Sequence, residues 1–186
     1  MKSVKINKKV LGEIVKFLKV GQIIIFPTDT VYGFLADAKN KKAINKIYRI
    51  KKRPKSKPLP IFVTDFKMAK SLAEISEKQE KIIKKYWPGK YTFILKAKSQ
   101  NPKADETIAL RIPKYKPLND LLKKINKPLV QTSVNISGKK ELNKISEIIL
   151  EFKKKDIFIV DARDLKKSKP SKIIDLTKNK IEFIRK

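Results

Sequence analysis

Gln22-Ile23-Ile24-Ile25-Phe26-Pro27-Thr28-Asp29-Thr30-Val31-Tyr32-Gly33 sets the fold class of this chain. The run 22–26 holds three isoleucines and a phenylalanine after Gln22 and is too short for a helix, so it reads as a buried strand. The residues after it crowd two threonine hydroxyls, a carboxylate and a phenol into a turn ending in glycine. Strand ends of this kind are where sites in α/β sheets form. A plain hydrogen-bonded turn uses the same residues, because Asp and Thr satisfy nearby backbone groups. The turn alone does not decide between these readings.

Outward from it, helical and strand patterns alternate to both ends, which predicts a single α/β domain over residues 1–186. Upstream, a helix starts after Asn7 with Val10, Leu11, Ile14, Val15 and Leu18 on one stripe, and Gly21 ends it. Downstream, a helix over 41–50 carries Ala43, Ile44, Ile47 and Tyr48 on its inner side, and a strand follows at Leu59–Thr64. Asp65 caps one further helix, and Ser76 with Gln79 forms a capping box on the next, which bears Glu77/Lys81 and Glu80/Lys84 pairs. Strands are expected at Tyr91–Ala97 and Thr107–Ile112, then a short helix through Leu118, Leu121, Leu122 and Ile125. The remainder reads as strand (Leu129–Val134), helix (Ile145–Phe152), strand (Ile157–Asp161) and a terminal pair at Ile173–Thr177 and Ile181–Arg185.

Composition narrows the chemistry. The 186 residues include no cysteine and no histidine, which removes disulfides, thiol catalysis, imidazole bases and nearly every zinc site. Phosphate chemistry suits what is left, because it runs largely on positioned cations and a nucleotide-borne magnesium ion. Lys and Arg number 47 against 18 acidic residues, a net charge of +29. Such charge attracts polyanions, yet a lysine-rich solvated surface gives the same number, so it does not by itself establish nucleic-acid binding. No apolar stretch approaches a membrane span, and the N-terminus lacks a secretion signal, so a cytoplasmic protein is expected.

Two further segments carry candidate chemistry. Lys51-Lys52-Arg53-Pro54-Lys55-Ser56-Lys57 holds five basic residues in seven, placed on a loop by Pro54 and Pro58. A run like this is commonly a solvated surface, but Lys-x-Arg at a helix end suits triphosphate oxygens. In Thr132-Ser133-Val134-Asn135-Ile136-Ser137-Gly138, Ser133 and Asn135 alternate with Val134, so both would face one side of an extended backbone. A polar strand end leading into a turn accounts for that segment equally well.

Taken together, the segments resemble the YrdC-like domain of threonylcarbamoyl-adenylate synthases over essentially the whole chain. The matching pieces, in order, are Pro-Thr-Asp-Thr-Val-Tyr-Gly at 27–33, Lys51-x-Arg53, Trp87-Pro88-Gly89 followed by Thr92, and Thr107 with Arg111-Ile112-Pro113. Then come Ser133-x-Asn135-x-Ser137-Gly138, Pro170-Ser171 before Ile173-Ile174-Asp175, and a terminal Arg185. The resemblance implies a twisted open mixed sheet flanked by helices, with a concave, positively charged cavity, in the short single-domain form. It implies that threonine's amine takes up bicarbonate, and that the resulting carbamate attacks the α-phosphate of ATP. Pyrophosphate leaves, and the threonylcarbamoyl-AMP passes to a transferase that modifies tRNA.

The resemblance also implies roles. Lys51, Arg53, Ser133 and Asn135 would be catalytic, with Mg2+ on the triphosphate. Thr30, Arg111, Gln131 and Ser171 would hold threonine, Arg111 as a fork on its carboxylate. Arg53, Lys57, Thr107, Ser133, Asn135 and Arg185 would hold the nucleotide. No metal site built from protein side chains is expected. Four positions depart from the common pattern: Lys57 replaces an Asn, and Phe62 stands where some members have His. Lys172 replaces a Thr, and Val134 an Ala whose added methyls are expected beside the nucleotide. A relative that embeds this domain among zinc fingers is excluded by the absence of cysteine. The competing reading is a non-catalytic binder of tRNA or double-stranded RNA on the same fold, which needs the basic surface but has no use for Arg111, Ser133 and Asn135 in their places.

Overall fold

The computed structural model describes residues 2–98, 107–152, 155, 157–166, 168–178 and 181–185. In chain order the elements are β1 (Lys2–Lys5), α1 (Lys8–Lys19), β2 (Ile24–Phe26), β3 (Gly33–Asp37), α2 (Lys41–Lys51) and β4 (Ile61–Phe62). Next come α3 (Phe66–Leu72), α4 (Glu77–Lys84), β5 (Tyr91–Lys96), β6 (Thr107–Arg111), α5 (Lys116–Ile125) and β7 (Leu129–Ser133). The last are α6 (Ile145–Phe152), β8 (Phe158–Asp161), β9 (Lys172–Asp175) and β10 (Glu182–Arg185).

The local signals act as read. Asn7 Oδ1 accepts from Val10 N at 2.9 Å and starts α1, which gives way to Gly21 at φ 79°. Asp65 caps α3 through Met68 N, and Ser76 with Gln79 forms the reciprocal box on α4. Glu80 pairs with Lys84 at 2.7 Å and with Lys70 at 2.6 Å. Two strands escape the pattern reading. β3 is buried at every position and so shows no alternation, while β1 is four residues with two lysines. The expected strand 59–64 contracts to Ile61–Phe62, because Pro58 and Pro60 lack the N–H a ladder needs.

All ten strands join in one mixed sheet in the order β1-β8-β2-β3-β7-β4-β6-β5-β9-β10. Its first half is covered on both faces. Ile24, Phe26, Leu35 and Leu129 pack against α1 and α5, while Ile23, Ile25, Phe34 and Val130 pack against α2 and α6. The second half is covered by helices on one face, where Phe93, Leu95, Leu110 and Ile174 meet α3, α4 and Trp87. Side chains of opposite parity (Thr92, Ile94, Ala109, Arg111 and Ile173) therefore fall on the other face, and that face is the wall of a cavity. Among the described residues no helix is long and apolar enough to cross a membrane.

Candidate functional site

The cavity has a volume of about 210 Å³. Its apolar lining includes Ile94, Ala109, Ile173 and Ile184, joined by Pro58, Pro60 and Thr132. Three guanidinium groups reach it, from Arg53 after α2, Arg111 at the end of β6 and Arg185 on β10, and no carboxylate lines it among the described residues. Thr30, Gln131, Ser133 and Ser171 add neutral polar groups. Such a lining offers donors to several anionic oxygens, plus a dry surface for apolar parts of a ligand.

Arg111 is the most constrained of the three, with its side chain 1% exposed. Nε donates to Gly89 O at 2.9 Å, Nη2 bonds Asp29 Oδ1 at 2.5 Å, and the guanidinium lies 5.5 Å from the centre of the Phe62 ring. Asp29 is itself fixed, since Oδ2 accepts from Lys114 N at 3.0 Å. Burial lowers the pKa of Arg111, Asp29 opposes that, and the charge of Arg185 lowers it further. Nη1 has no partner among the described residues, so one edge of the fork remains for a ligand.

The 27–33 turn is held from within. Thr28 Oγ1 donates to Val31 O at 2.7 Å, lies 3.0 Å from Thr30 Oγ1 and accepts from Thr30 N. Thr30 thereby keeps a fixed place on the cavity wall. Tyr32 points away: its hydroxyl donates to Arg163 O and accepts from Ala162 N, and burial pushes its pKa up to about 12. The turn is therefore both a hydrogen-bonded turn and a wall of the cavity.

Lys51 lies behind the wall, 1% exposed. Its ammonium donates to Ser133 O at 2.6 Å, Asn135 O at 2.9 Å and Asn135 Oδ1 at 2.7 Å, which uses all its protons. Burial, then the neighbouring charge of Arg53, lowers its pKa from 10.5 to about 8. Asn135 Oδ1 also accepts from Ser133 Oγ at 2.8 Å, and Nδ2 donates to Lys139 O. Lys51 meets a phosphate in this arrangement only by giving up one of these bonds, whereas Asn135 Nδ2 has a second N–H and Ser133 lines the cavity itself.

Arg53 curls over its own loop, with Nε to Lys57 O at 2.8 Å and Nη2 to Pro58 O at 3.1 Å. The Lys57 side chain is exposed and outside the cavity lining, and its carbonyl rather than its ammonium is engaged. Thr107 starts β6 on the same parity as Arg111 but is exposed and outside the lining. Ser171 joins the remaining parts: its hydroxyl lies 2.9 Å from Thr92 Oγ1 and accepts from Arg185 Nη2, while its carbonyl accepts from Arg185 Nε. Burial lowers the Arg185 pKa, Glu141 raises it and Arg53 lowers it again.

One expectation about the departures changes, and the place of a second is now visible. Val134 is fully buried in the core against α2 and α6, so its methyls do not crowd the cavity. Lys172 points to the opposite face from Ser171, with Nζ 5.8 Å from the centre of the Tyr91 ring. What pattern reading missed is Asp29 as the partner of Arg111, a contact between a turn and a strand end 82 positions apart. A carboxylate in a turn that also carries a cavity-lining threonine is its only local sign.

With this geometry in place, comparison with known proteins is informative. The Sua5/YciO/YrdC family model, described as "Telomere recombination", matches residues 16–186. A Methanocaldococcus jannaschii protein that carries the provisional name threonylcarbamoyl-AMP synthase is 41% identical over 181 residues, covering 96% of this chain and 86% of that one. Pyrococcus abyssi Sua5, whose crystal structure is complexed with L-threonine, superposes with a TM-score of 0.90 at 30% identity, over 98% of this chain and 56% of its own. This chain thus spans little more than half the length of that protein. Escherichia coli YciO matches the fold with a TM-score of 0.91 at 24% identity, over 100% and 95% of the two chains.

Proposed function

This chain belongs to the Sua5/YciO/YrdC family, and from that premise we propose that it is an L-threonylcarbamoyl-AMP synthase, a nucleotidyl transferase. The observation that carries the reading is the disposition of Arg53, Arg111 and Arg185 around one cavity that also holds the hydroxyls of Thr30, Ser133 and Ser171. The triphosphate and the carbamate formed from threonine and bicarbonate are both anionic, and threonine itself presents a carboxylate. Bringing them together in line requires cations placed in advance at both ends.

In this reading the open edge of Arg111 takes the threonine carboxylate, with Thr30, Gln131 and Ser171 around the rest of the amino acid. Arg53, Ser133 and Arg185 take the nucleotide phosphates, and Lys51 shapes the turn that presents Ser133 and Asn135. A carbamate oxygen bonds the α-phosphorus as the bond to pyrophosphate breaks. Magnesium would screen the triphosphate charge. Among the described residues no three acidic, histidine or cysteine side chains gather, so in this proposal the ion is held by nucleotide oxygens. The product would then reach a transferase acting on tRNA, which places the chain in the cytoplasm.

The test is pyrophosphate release from ATP, Mg2+ and bicarbonate, with and without L-threonine, alongside mass spectrometry for threonylcarbamoyl-AMP. Threonine-dependent release with that adduct is expected. No release from folded protein that still binds tRNA in a steeply salt-dependent way would replace this reading with that of an RNA binder.

A further inference from the structure

Asp29 does not line the cavity, yet it holds the one cation there whose side chain is 1% exposed. We propose that Asp29 is a positioning residue, one that fixes the open edge of Arg111 and so sets affinity for the substrate's carboxylate. The inference rests on the synthase reading above.

The case is geometric. A guanidinium turns about its terminal torsions unless its nitrogens are held. Here Gly89 O takes Nε, Asp29 Oδ1 takes Nη2 and the Phe62 ring lies 5.5 Å away. Of these, Asp29 alone holds the outer nitrogen, and its own freedom is removed by Lys114 N on Oδ2. The side chain of Asp29 is 7% exposed, so water does not substitute for the bond. Thr30 follows Asp29 on the same turn and lines the cavity. One short segment therefore fixes two of the groups placed around threonine.

Electrostatics gives the inference its risk. Asp29 neutralises Arg111, and a second carboxylate on the same guanidinium is repelled by the first. If raw charge governed binding, removing Asp29 would strengthen it. If orientation governs, removal weakens it, because an asparagine must turn its amide N–H₂ toward either Lys114 N or Arg111 Nη2, both of them donors. The geometry favours orientation. On this view selection works through the direction of two N–H bonds, and threonine's carboxylate is favoured over anions of other shapes.

The experiment uses the full chain with Asp29→Asn and Asp29→Glu. Calorimetry measures L-threonine and L-threoninamide binding without ATP, and pyrophosphate release gives KM for threonine and for ATP. In Asp29→Asn, threonine Kd and KM should rise about tenfold while KM for ATP stays within about twofold. The preference for threonine over its amide should shrink, and Asp29→Glu, which keeps the charge, should fall between. Unchanged or tighter threonine binding overturns the proposal, as does a parallel rise in both KM values, which marks a general loss of cavity structure. If Asp29→Asn does not fold, Asp29→Glu decides by the same split. Wild-type protein that releases no pyrophosphate counts against the synthase reading instead, which the calorimetric comparison keeps separate.

Discussion

Lys51 and Asn135, 84 positions apart, are joined by two hydrogen bonds from one ammonium, at 2.9 Å to the backbone oxygen and 2.7 Å to Oδ1. The third proton goes to Ser133 O, so the end of α2 and the turn after β7 are held as one piece. The turn has its own backbone bond, Lys139 N to Ile136 O at 2.9 Å, and the buried cation adds three more, so the turn shares that cation's sensitivity to pH.

The first prediction concerns that sensitivity. Above pH of about 8 the Lys51 amine loses a proton and keeps two donors for three acceptors. The efficiency kcat/KM for ATP should fall as pH rises through this value, measured by pyrophosphate release, and Lys51→Arg should move the fall upward. Stability has the opposite sign. A pKa lowered from 10.5 to about 8 means the unfolded chain holds the proton longer, so this group's contribution to stability rises between those values. Lys51→Met, which withdraws the donor from Ser133 O and Asn135 O and leaves Asn135 Oδ1 only the Ser133 hydroxyl, should cost about 1–3 kcal/mol by urea unfolding.

A second prediction separates the two uses of Arg53. It holds Lys57 O and Pro58 O, and it lines the cavity. Arg53→Ala should raise KM for ATP at least about tenfold and lower kcat, with little change in the melting temperature, because the loop it braces is exposed. Unaltered turnover would remove Arg53 from the proposed chemistry.

Third, Ser171 touches the buried Thr92 behind it and the cavity-lining Arg185. Ser171→Ala should therefore raise KM for threonine and ATP together, each by roughly threefold to tenfold. Its effect should be non-additive with Arg185→Ala, measured as a double-mutant cycle on kcat/KM. Independent effects would show that Ser171 and Arg185 do not act as a unit.

A fourth prediction tests the seat of Arg111. Phe62 is fully buried and lies under the guanidinium. Phe62→Ala should destabilise by about 3–5 kcal/mol in urea, as a large core truncation does. Phe62→Leu should cost less in stability but still weaken threonine binding, because it removes the ring the cation rests on. Threonine affinity unchanged in Phe62→Leu would reduce Phe62 to a core residue.

The stripe Val10, Leu11, Ile14, Val15 and Leu18 was legible because a half-buried helix must repeat every three to four residues. β3 was not legible, because a strand buried on both faces leaves no alternation to detect. In the site, the Ser133 and Asn135 motif was readable, and their side chains do meet at 2.8 Å. Their extended geometry was not foreseen correctly: β7 stops at Ser133, and the two groups meet across a bend. Lys51 read as a phosphate ligand because its charge is visible in sequence, whereas its three acceptors lie on one distant segment, 133–135, that only folding brings near. Asp29 was hidden for the same reason.

Among the described residues β4, two residues long, is the strand that joins β7 to β6 in the sheet. Thr30 and Ser133 belong to the side carrying β3 and β7, while Arg111, Ser171 and Arg185 belong to the side carrying β6, β9 and β10. The cavity thus straddles a short seam, where Ile61 and Phe62 pair with Val130 and Leu129 on one side and with Leu110 and Arg111 on the other. A ligand that bonds both sides works as a rivet, and its affinity includes whatever the seam lacks in cohesion. Amide exchange along Ile61 and Phe62 is then a gauge of occupancy that needs no catalysis to be read.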